Sequence, residues 1–255
     1  MGSQTLTYVI NVEGHVSRFV SIKDELNRLG LEFKIVPTVD GNTLSSAEIE
    51  EACKNMQPPH IKRPLSNGEI ACFLSHIEAW KCVAAGNAPY AIICEDDARF
   101  DSKVVDLLDA LENHEPQWDI LRLFSHKHQS PIDKEILLKD VEAYTVEKIT
   151  MSTVAYIITK PAAKHLIKEV MPFFLPIDGY LKQWWVHGLC SKQVSPSIAW
   201  PAQQGHQTST IQKDRSLRKP AARTKRFLRN LRFQWQQNFL RRKHIKQLPL
   251  TRQHW

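Results

Sequence analysis

Apolar and polar positions along the chain alternate between two periods. Thr5–Val12 (TLTYVINV) is a β-branched run of strand type, and Ser17–Leu29 then takes up the three-and-four spacing of a helix that Gly30 ends. Phe33–Thr38 (FKIVPT) predicts a second strand, closed by Asp40-Gly41. Ser66-Asn67-Gly68-Glu69 has capping-box spacing, with Ser66 as N-cap and Glu69 at the third helical position. Ile70, Phe73, Ile77, Trp80 and Ala84 continue that helix as an apolar stripe to about Ala85. Strands follow at Tyr90–Cys94, Trp118–Phe124 (WDILRLF) and Thr153–Ile158 (TVAYII), with a helix over Ser102–Leu111. Thr159-Lys160-Pro161 opens another helix, Thr159 near its N-cap and Pro161 in its first turn. Strand–helix alternation of this kind predicts an α/β fold, a Rossmann-type, mostly parallel sheet flanked by helices. No internal repeat or low-complexity segment interrupts it.

Length and composition leave this picture standing. The 255 residues suffice for a full core, and 42% hydrophobic with 24% charged residues is ordinary for a globular chain. No apolar run reaches the length of a bilayer crossing, and the N-terminus lacks the basic-then-apolar order of an export signal. Five cysteines, odd in number and without CxxC spacing, fit reduced thiols of the cytoplasm better than a disulfide framework. The net charge of +7 divides the chain in two: residues 213–255 hold 14 of the 34 Lys and Arg with Asp214 as their single acid, and residues 1–212 carry 20 bases against 26 acids. Chemistry is therefore sought in an acidic body, residues 1–212, and the basic extension, residues 213–255, is read separately.

One stretch of the body stands out. In YAIICEDDARF, Tyr90–Phe100, an apolar strand runs into Glu95, Asp96 and Asp97. Ligands of open α/β sheets bind beyond the carboxyl ends of strands. Strand alternation sends Glu95 and Asp97 to one side and Asp96 to the other. Three adjacent carboxylates repel one another unless a cation joins them, and Mg²⁺ or Mn²⁺ favours carboxylate and phosphate oxygens. The alternative is a solvated acidic turn.

In order along the chain, YVINV with Arg18 downstream, VDG at Val39–Gly41, GEIACFLSH at Gly68–His76, IICEDD at Ile92–Asp97, AYIITKPAAK at Ala155–Lys164 and PID at Pro176–Asp178 resemble the glycosyltransferases of family 25. That family includes builders of bacterial lipooligosaccharide and the collagen galactosyltransferases, and the resemblance covers roughly residues 6–215. It implies a GT-A-like catalytic domain over 1–212, a UDP-sugar donor, most often UDP-galactose, transfer with inversion, and a lipooligosaccharide or lipopolysaccharide acceptor.

With that resemblance, individual residues take roles as expectations. Asp97 is the direct ligand of Mn²⁺ or Mg²⁺, and Glu95 and Asp96 hold the ribose or metal-bound water. Inversion needs a base on the acceptor hydroxyl, and Asp178 in LPIDGYLKQWW is the candidate, with a helix cap as its alternative. Tyr180, Trp184 and Trp185 are candidate acceptor platforms or core residues, and His187 is a candidate extra metal ligand or a structural histidine. Asn11 and Arg18 follow the first strand where the nucleotide is met. Asp40 resembles a position near base and ribose, with plain turn chemistry as the alternative. His206 and Ser209 lie in a polar segment resembling one that closes over the diphosphate. Ser75-His76 sits mid-helix, without the strained turn of a hydrolase nucleophile.

In the basic extension, Phe227, Leu228, Leu231, Trp235 and Phe239 form a stripe among Arg226, Arg229, Arg232, Arg241, Arg242 and Lys243. A basic amphipathic helix of this kind predicts a membrane-surface element, which for the acceptor implied by the resemblance means the cytoplasmic face of the inner membrane; packing on the body is the alternative, and nucleic acid is not expected as a partner. Two other functions remain open at this level. A metal-dependent nuclease or phosphoesterase would use the same acids, and a non-catalytic nucleotide-sugar-binding protein would not need Asp178.

Overall fold

The structure, a computed structural model, describes residues 5–12, 15–53, 63–112, 115–127, 129–202 and 223–252, with side chains of the last segment from Asn230 onward. Its elements run β1 (Thr7–Ile10), α1 (Val16–Arg28), β2 (Phe33–Ile35), α2 (Ser46–Cys53), α3 (Asn67–Ala85), β3 (Tyr90–Glu95), β4 (Ala98–Phe100), α4 (Lys103–Glu112), β5 (Ile120–Arg122), β6 (Asp133–Leu138) and β7 (Val141–Thr145). There follow β8 (Ala155–Thr159), α5 (Lys160–Glu169), α6 (Ile177–Leu181), α7 (Trp184–His187), β9 (Ser191–Ser195), β10 (Ala199–Pro201) and α8 (Arg223–His244), then a 3₁₀ turn over Ile245–Gln247. Eight strands form one sheet in the order β2-β1-β3-β8-β5-β9-β7-β6, and β4 pairs with β10 beside it.

The expected α/β architecture is present, with one correction to the sheet. β1 pairs in parallel with β2 and β3, and β5 with β9, but β8 runs antiparallel between β3 and β5, and β6, β7 and β9 are joined antiparallel. The sheet is mixed rather than mostly parallel. The cause is the β6–β7 hairpin, which reverses the chain with no crossover helix and delivers β8 pointing the other way. Its strand β6 alternates intermediate and exposed positions, a weaker apolar signal than the buried runs of β3 and β8.

Helices form where the local signals predict. Ser66 accepts the Glu69 amide, and Glu69 returns a carboxylate to the Ser66 amide, so α3 starts on a complete capping box. Thr159 caps α5 with Pro161 in its first turn, and Gly30 takes φ +69 after α1. Alternate residues of the central strands feed two cores. Val9, Ile92, Cys94, Leu121 and Ile157 pack against α1 and α4, and Tyr8, Ile10, Ile93, Ile120 and Ile158 pack against α3, α5 and α6.

Helix α8 lies on the body through one face. Gln183 meets Gln237, Arg241 pairs with Glu147 at 3.4 Å, and Ile245 and Leu248 pack on the cluster of Tyr144, Val146, Ile149 and Trp184. Beyond it the Arg252 amide donates to the Gln117 carbonyl, and its guanidinium lies 3.8 Å from Asp119. Asp119 is wholly buried and accepts the Cys190 amide at 2.8 Å. Burial pushes its carboxyl up to about 6, against the opposing pull of the Cys190 amide, Arg252 and His165. A carboxyl raised on folding favours the fold below the unfolded value near pH 4, and that contribution is lost as pH climbs through about 6, amounting to roughly 3 kcal/mol. Asp119→Asn retains an acceptor for Cys190 and cannot ionise. Urea unfolding is therefore expected to find the variant gaining on wild type between pH 4 and pH 8; an equal difference at both would contradict this.

Candidate active site

The carboxyl ends of β1, β3 and β5 share one edge of the sheet with the start of β8. At that edge Glu95 ends β3, and Asp96-Asp97 form the turn into β4. Alternation holds for the first pair of acids. Asp96 faces α1, accepting a hydrogen bond from Asn11 Nδ2 at 2.8 Å and pairing with Arg18, with His15 Nδ1 at 3.8 Å. Burial raises the Asp96 carboxyl, more than Arg18 and Asn11 lower it. Asp97 departs from the expected side: its Oδ2 is 3.6 Å from Arg18, so it shares a guanidinium with Asp96. The reason is that strand geometry ends at Glu95, and the turn swings Asp97 across.

Glu95 faces the other side, toward α3. Thr153 Oγ1 donates to its Oε1 at 2.5 Å, and His76 Nε2 lies 3.9 Å from the same oxygen. Burial would raise the Glu95 carboxyl, and His76, Thr153 and Arg18 together bring it below the usual range. The His76 ring is held in turn. Its Nδ1 lies 2.9 Å from the Tyr156 hydroxyl, which accepts from Trp80 Nε1 at 3.0 Å. Burial raises the Tyr156 phenol, so it stays protonated, and its own proton is the one available to Nδ1. With Nδ1 turned to Tyr156, Nε2 is the ring nitrogen that faces Glu95.

Behind Glu95 lies a second charged layer. Arg122, 3% exposed at the end of β5 and opposite Tyr156, donates to the Ser152 carbonyl. Burial pulls its guanidinium down to about 10, and Asp178 and Tyr156 act against that fall. Asp178 occupies the first turn of α6 and also acts on Arg63, which pairs with the buried Glu69. Cys72, one turn after Glu69 on α3, is pushed well up by burial first and then by Glu95, Asp178, Glu69 and Asp96. The same thiol feels all four carboxylates, and α6 packs on α3 through Tyr180 and Phe73, which puts Asp178 on the side of the sheet that Glu95 faces. Because the N-cap of α6 is Pro176, Asp178 is not the capping residue.

A family model described as Glycosyltransferase family 25 (LPS biosynthesis protein) matches residues 4–181, most of the chain. The chain belongs to glycosyltransferase family 25. Procollagen galactosyltransferase 1-A of Xenopus laevis is 31% identical over 183 residues, 68% of this chain and 30% of that protein. Procollagen galactosyltransferase 2 of Homo sapiens is 28% identical over 184 residues, 68% of this chain and 29% of its own length. A human relative named as an inactive glycosyltransferase 25 family member 3 is 26% identical over 216 residues, 76% of this chain and 36% of that one. The chain thus spans about 30% of the length of the first two relatives. A crystal structure of Drosophila β1,4-galactosyltransferase 7 with manganese, UDP-Gal and xylobiose is similar at 10% identity and a TM-score of 0.40, covering 87% of this chain and 78% of that one, a likeness of outline alone.

In this family 25 chain the remaining predicted residues divide. Asp40 accepts the Asn42 amide and side chain at 2.9 Å, so turn chemistry occupies one of its oxygens. The loop is nonetheless tied to the site, because Thr38 Oγ1 donates to the Asn11 carbonyl and Ser75 accepts the Val39 amide. Gly41 is required there: a Cβ would meet the Asn67 and Gly68 backbone at 2.9 Å. Tyr180, 7% exposed, packs against Phe73; Trp184, 1% exposed, donates to the Glu147 carbonyl; Trp185 packs edge-on to Trp184. The Tyr180 and Trp184 rings are core, not open platforms, whereas Trp185 is only partly buried against the same cluster. His187 accepts the Leu189 amide on Nδ1 and places Nε2 3.3 Å from the Leu181 carbonyl, and burial lowers it to about 4. With both nitrogens used by its own segment, it is not brought to the acids. His206 and Ser209 lie outside the described residues.

Arg122, Tyr156, Thr153 and Arg63 carry the rest of the site and were not singled out by spacing, and spacing gave Glu69 only a capping role. A signal for one existed: an arginine inside the apolar run WDILRLF is out of place in a buried strand unless it has a task.

The donor set bears on the divalent cation. Among the described residues no group of three or more His, Cys, Asp or Glu is arranged to hold a metal by itself. Mn²⁺ and Mg²⁺ at phosphate sites take one or two carboxylates and complete their shell with phosphate oxygens and water. Asp97 beside Asp96, at the mouth of the edge, fits that case and not a closed protein cage.

Proposed function

We propose that the chain transfers galactose from UDP-galactose, with inversion, to a hydroxyl of a lipid-linked oligosaccharide of the lipooligosaccharide or lipopolysaccharide type. The observation that carries this reading is the convergence of the Glu95–Asp97 turn and Asp178 on the edge where Arg18 and Arg122 also lie. Family membership supports sugar transfer, the galactosyltransferase names of the relatives support the sugar, and the family description supports the acceptor.

Asn11, Arg18, Asp40, Glu95 and Asp96 bind the UDP-sugar, and His206 and Ser209 are retained as donor contacts from the resemblance. The Asp178 carboxylate takes the proton of the acceptor hydroxyl. That oxygen then bonds to the anomeric carbon as the bond to the diphosphate breaks on the opposite face, which inverts the centre. Negative charge grows on the departing diphosphate, and Arg18 and Arg122 are the cations placed at this edge to oppose it. When bound at Asp97, Mn²⁺ or Mg²⁺ would supply further neutralisation of the diphosphate. His76, fixed by Tyr156 and Trp80, stands 3.9 Å from Glu95 and favours its charged form. A procollagen acceptor is the second reading, favoured by the names of the relatives. The inactive name of the human relative keeps non-catalytic binding as an outcome of the test, whereas family membership displaces the nuclease reading.

The test is a thermal-shift panel of UDP, UDP-galactose, UDP-glucose and UDP-N-acetylglucosamine, each with and without Mn²⁺. The expected result is stabilisation that needs nucleotide and metal together and is largest with UDP-galactose. No shift with any nucleotide would overturn the reading.

A further inference from the structure

Helix α8 presents a second face, opposite the one that docks. Leu231, Trp235 and Phe239 follow one another at successive four-residue steps and are 48%, 69% and 55% exposed. The Trp235 and Phe239 rings stack on each other at 5.7 Å. Arg242 and Lys246 continue the same line, one in the last turn of the helix and one in the 3₁₀ turn beyond, and Arg232 and Lys243 flank it; all four are exposed. No Asp or Glu occurs anywhere in the helix, Arg223–His244. The docking side is accounted for by Gln237, Arg241, Ile245 and Leu248, so the stripe is not the packing face of the helix.

We infer that this face is a docking surface for an anionic lipid bilayer, with Leu231, Trp235 and Phe239 entering the headgroup boundary and Arg232, Arg242, Lys243 and Lys246 facing lipid phosphates. Leaving two large rings in water has no gain for the fold, and a tryptophan next to basic side chains is suited to a boundary that is apolar on one side and charged on the other. Charge selects the occupant. A second copy would set the same basic face against itself, and a cationic or neutral partner would leave the four basic side chains unmatched. Single-stranded nucleic acid is read by rings lining a basic groove that tracks the backbone, and here the rings stand on the convex face of one helix. The element lies on a membrane and does not span one: among the described residues no helix is long and apolar enough to cross. Gln183, which meets Gln237 on the docking side, belongs to the segment that carries Asp178, so the lipid-facing helix is fastened to that segment. The inference stands on the helix alone and does not depend on the transferase reading.

The experiment is co-sedimentation of the full chain with phosphatidylcholine vesicles containing or lacking phosphatidylglycerol. The probes are wild type, a Trp235→Ser/Phe239→Ser variant and an Arg242→Glu/Lys243→Glu variant, all checked for unchanged melting temperature. Wild type is expected to partition at least about tenfold more strongly onto the anionic vesicles, with the preference weakened by salt and each variant losing most of it. Wild type that ignores anionic vesicles, or variants that partition as it does, would overturn the inference. So would binding confined to single-stranded DNA and lost in the same variants.

Discussion

Asp178→Asn is expected to lower turnover by about 10²–10⁴-fold while leaving UDP-galactose affinity within about twofold of wild type. The amide has the shape of the carboxylate and cannot accept the acceptor proton. Asp178 is set in the first turn of a short helix between Pro176 and Tyr180, whose backbones are themselves hydrogen-bonded. The substitution therefore changes charge more than structure, although it also withdraws the carboxylate that acts on Arg63 and Arg122. Steady-state release of UDP, measured beside a melting curve, separates the two effects. Turnover near that of wild type would remove Asp178 from the role of base.

Asp97→Asn is expected to act one step earlier. It removes half of the charge that faces Arg18 across the turn and the carboxylate placed to share a divalent cation with the diphosphate. Donor affinity in Mn²⁺ should fall roughly 100-fold, about 2.7 kcal/mol, and affinity without metal should change little. The contrast with Asp178 is informative, because one substitution is expected in the binding constant and the other in turnover.

Much of the frame was legible in local signals. The capping box at Ser66 and the Thr159-Lys160-Pro161 start set α3 and α5 where they are observed, since caps are made by residues close in sequence. The direction of β8 was not legible, because it is decided by a hairpin of half-exposed strands with little periodic contrast. The acids at the tip of β3 were found from charge crowding alone. Asn11 and Arg18 were placed at the nucleotide through the resemblance. The pairing of these two with Asp96, and of His76 and Thr153 with Glu95, was not legible, since the four come from four separate segments and meet only through the sheet. Asp97 was assigned to the wrong side because strand alternation was carried one residue past the strand. The aromatic residues after Asp178 illustrate the opposite error: helical spacing identifies a face and says nothing of whether it looks outward, and here Tyr180 and Trp184 look into the core.

The most direct test of a cation shared between the β3 tip and a diphosphate is calorimetric titration of UDP into wild-type and Asp97→Asn protein, each with and without Mn²⁺. Tight binding only in wild type with metal is the predicted result. The same affinity in all four titrations would contradict it.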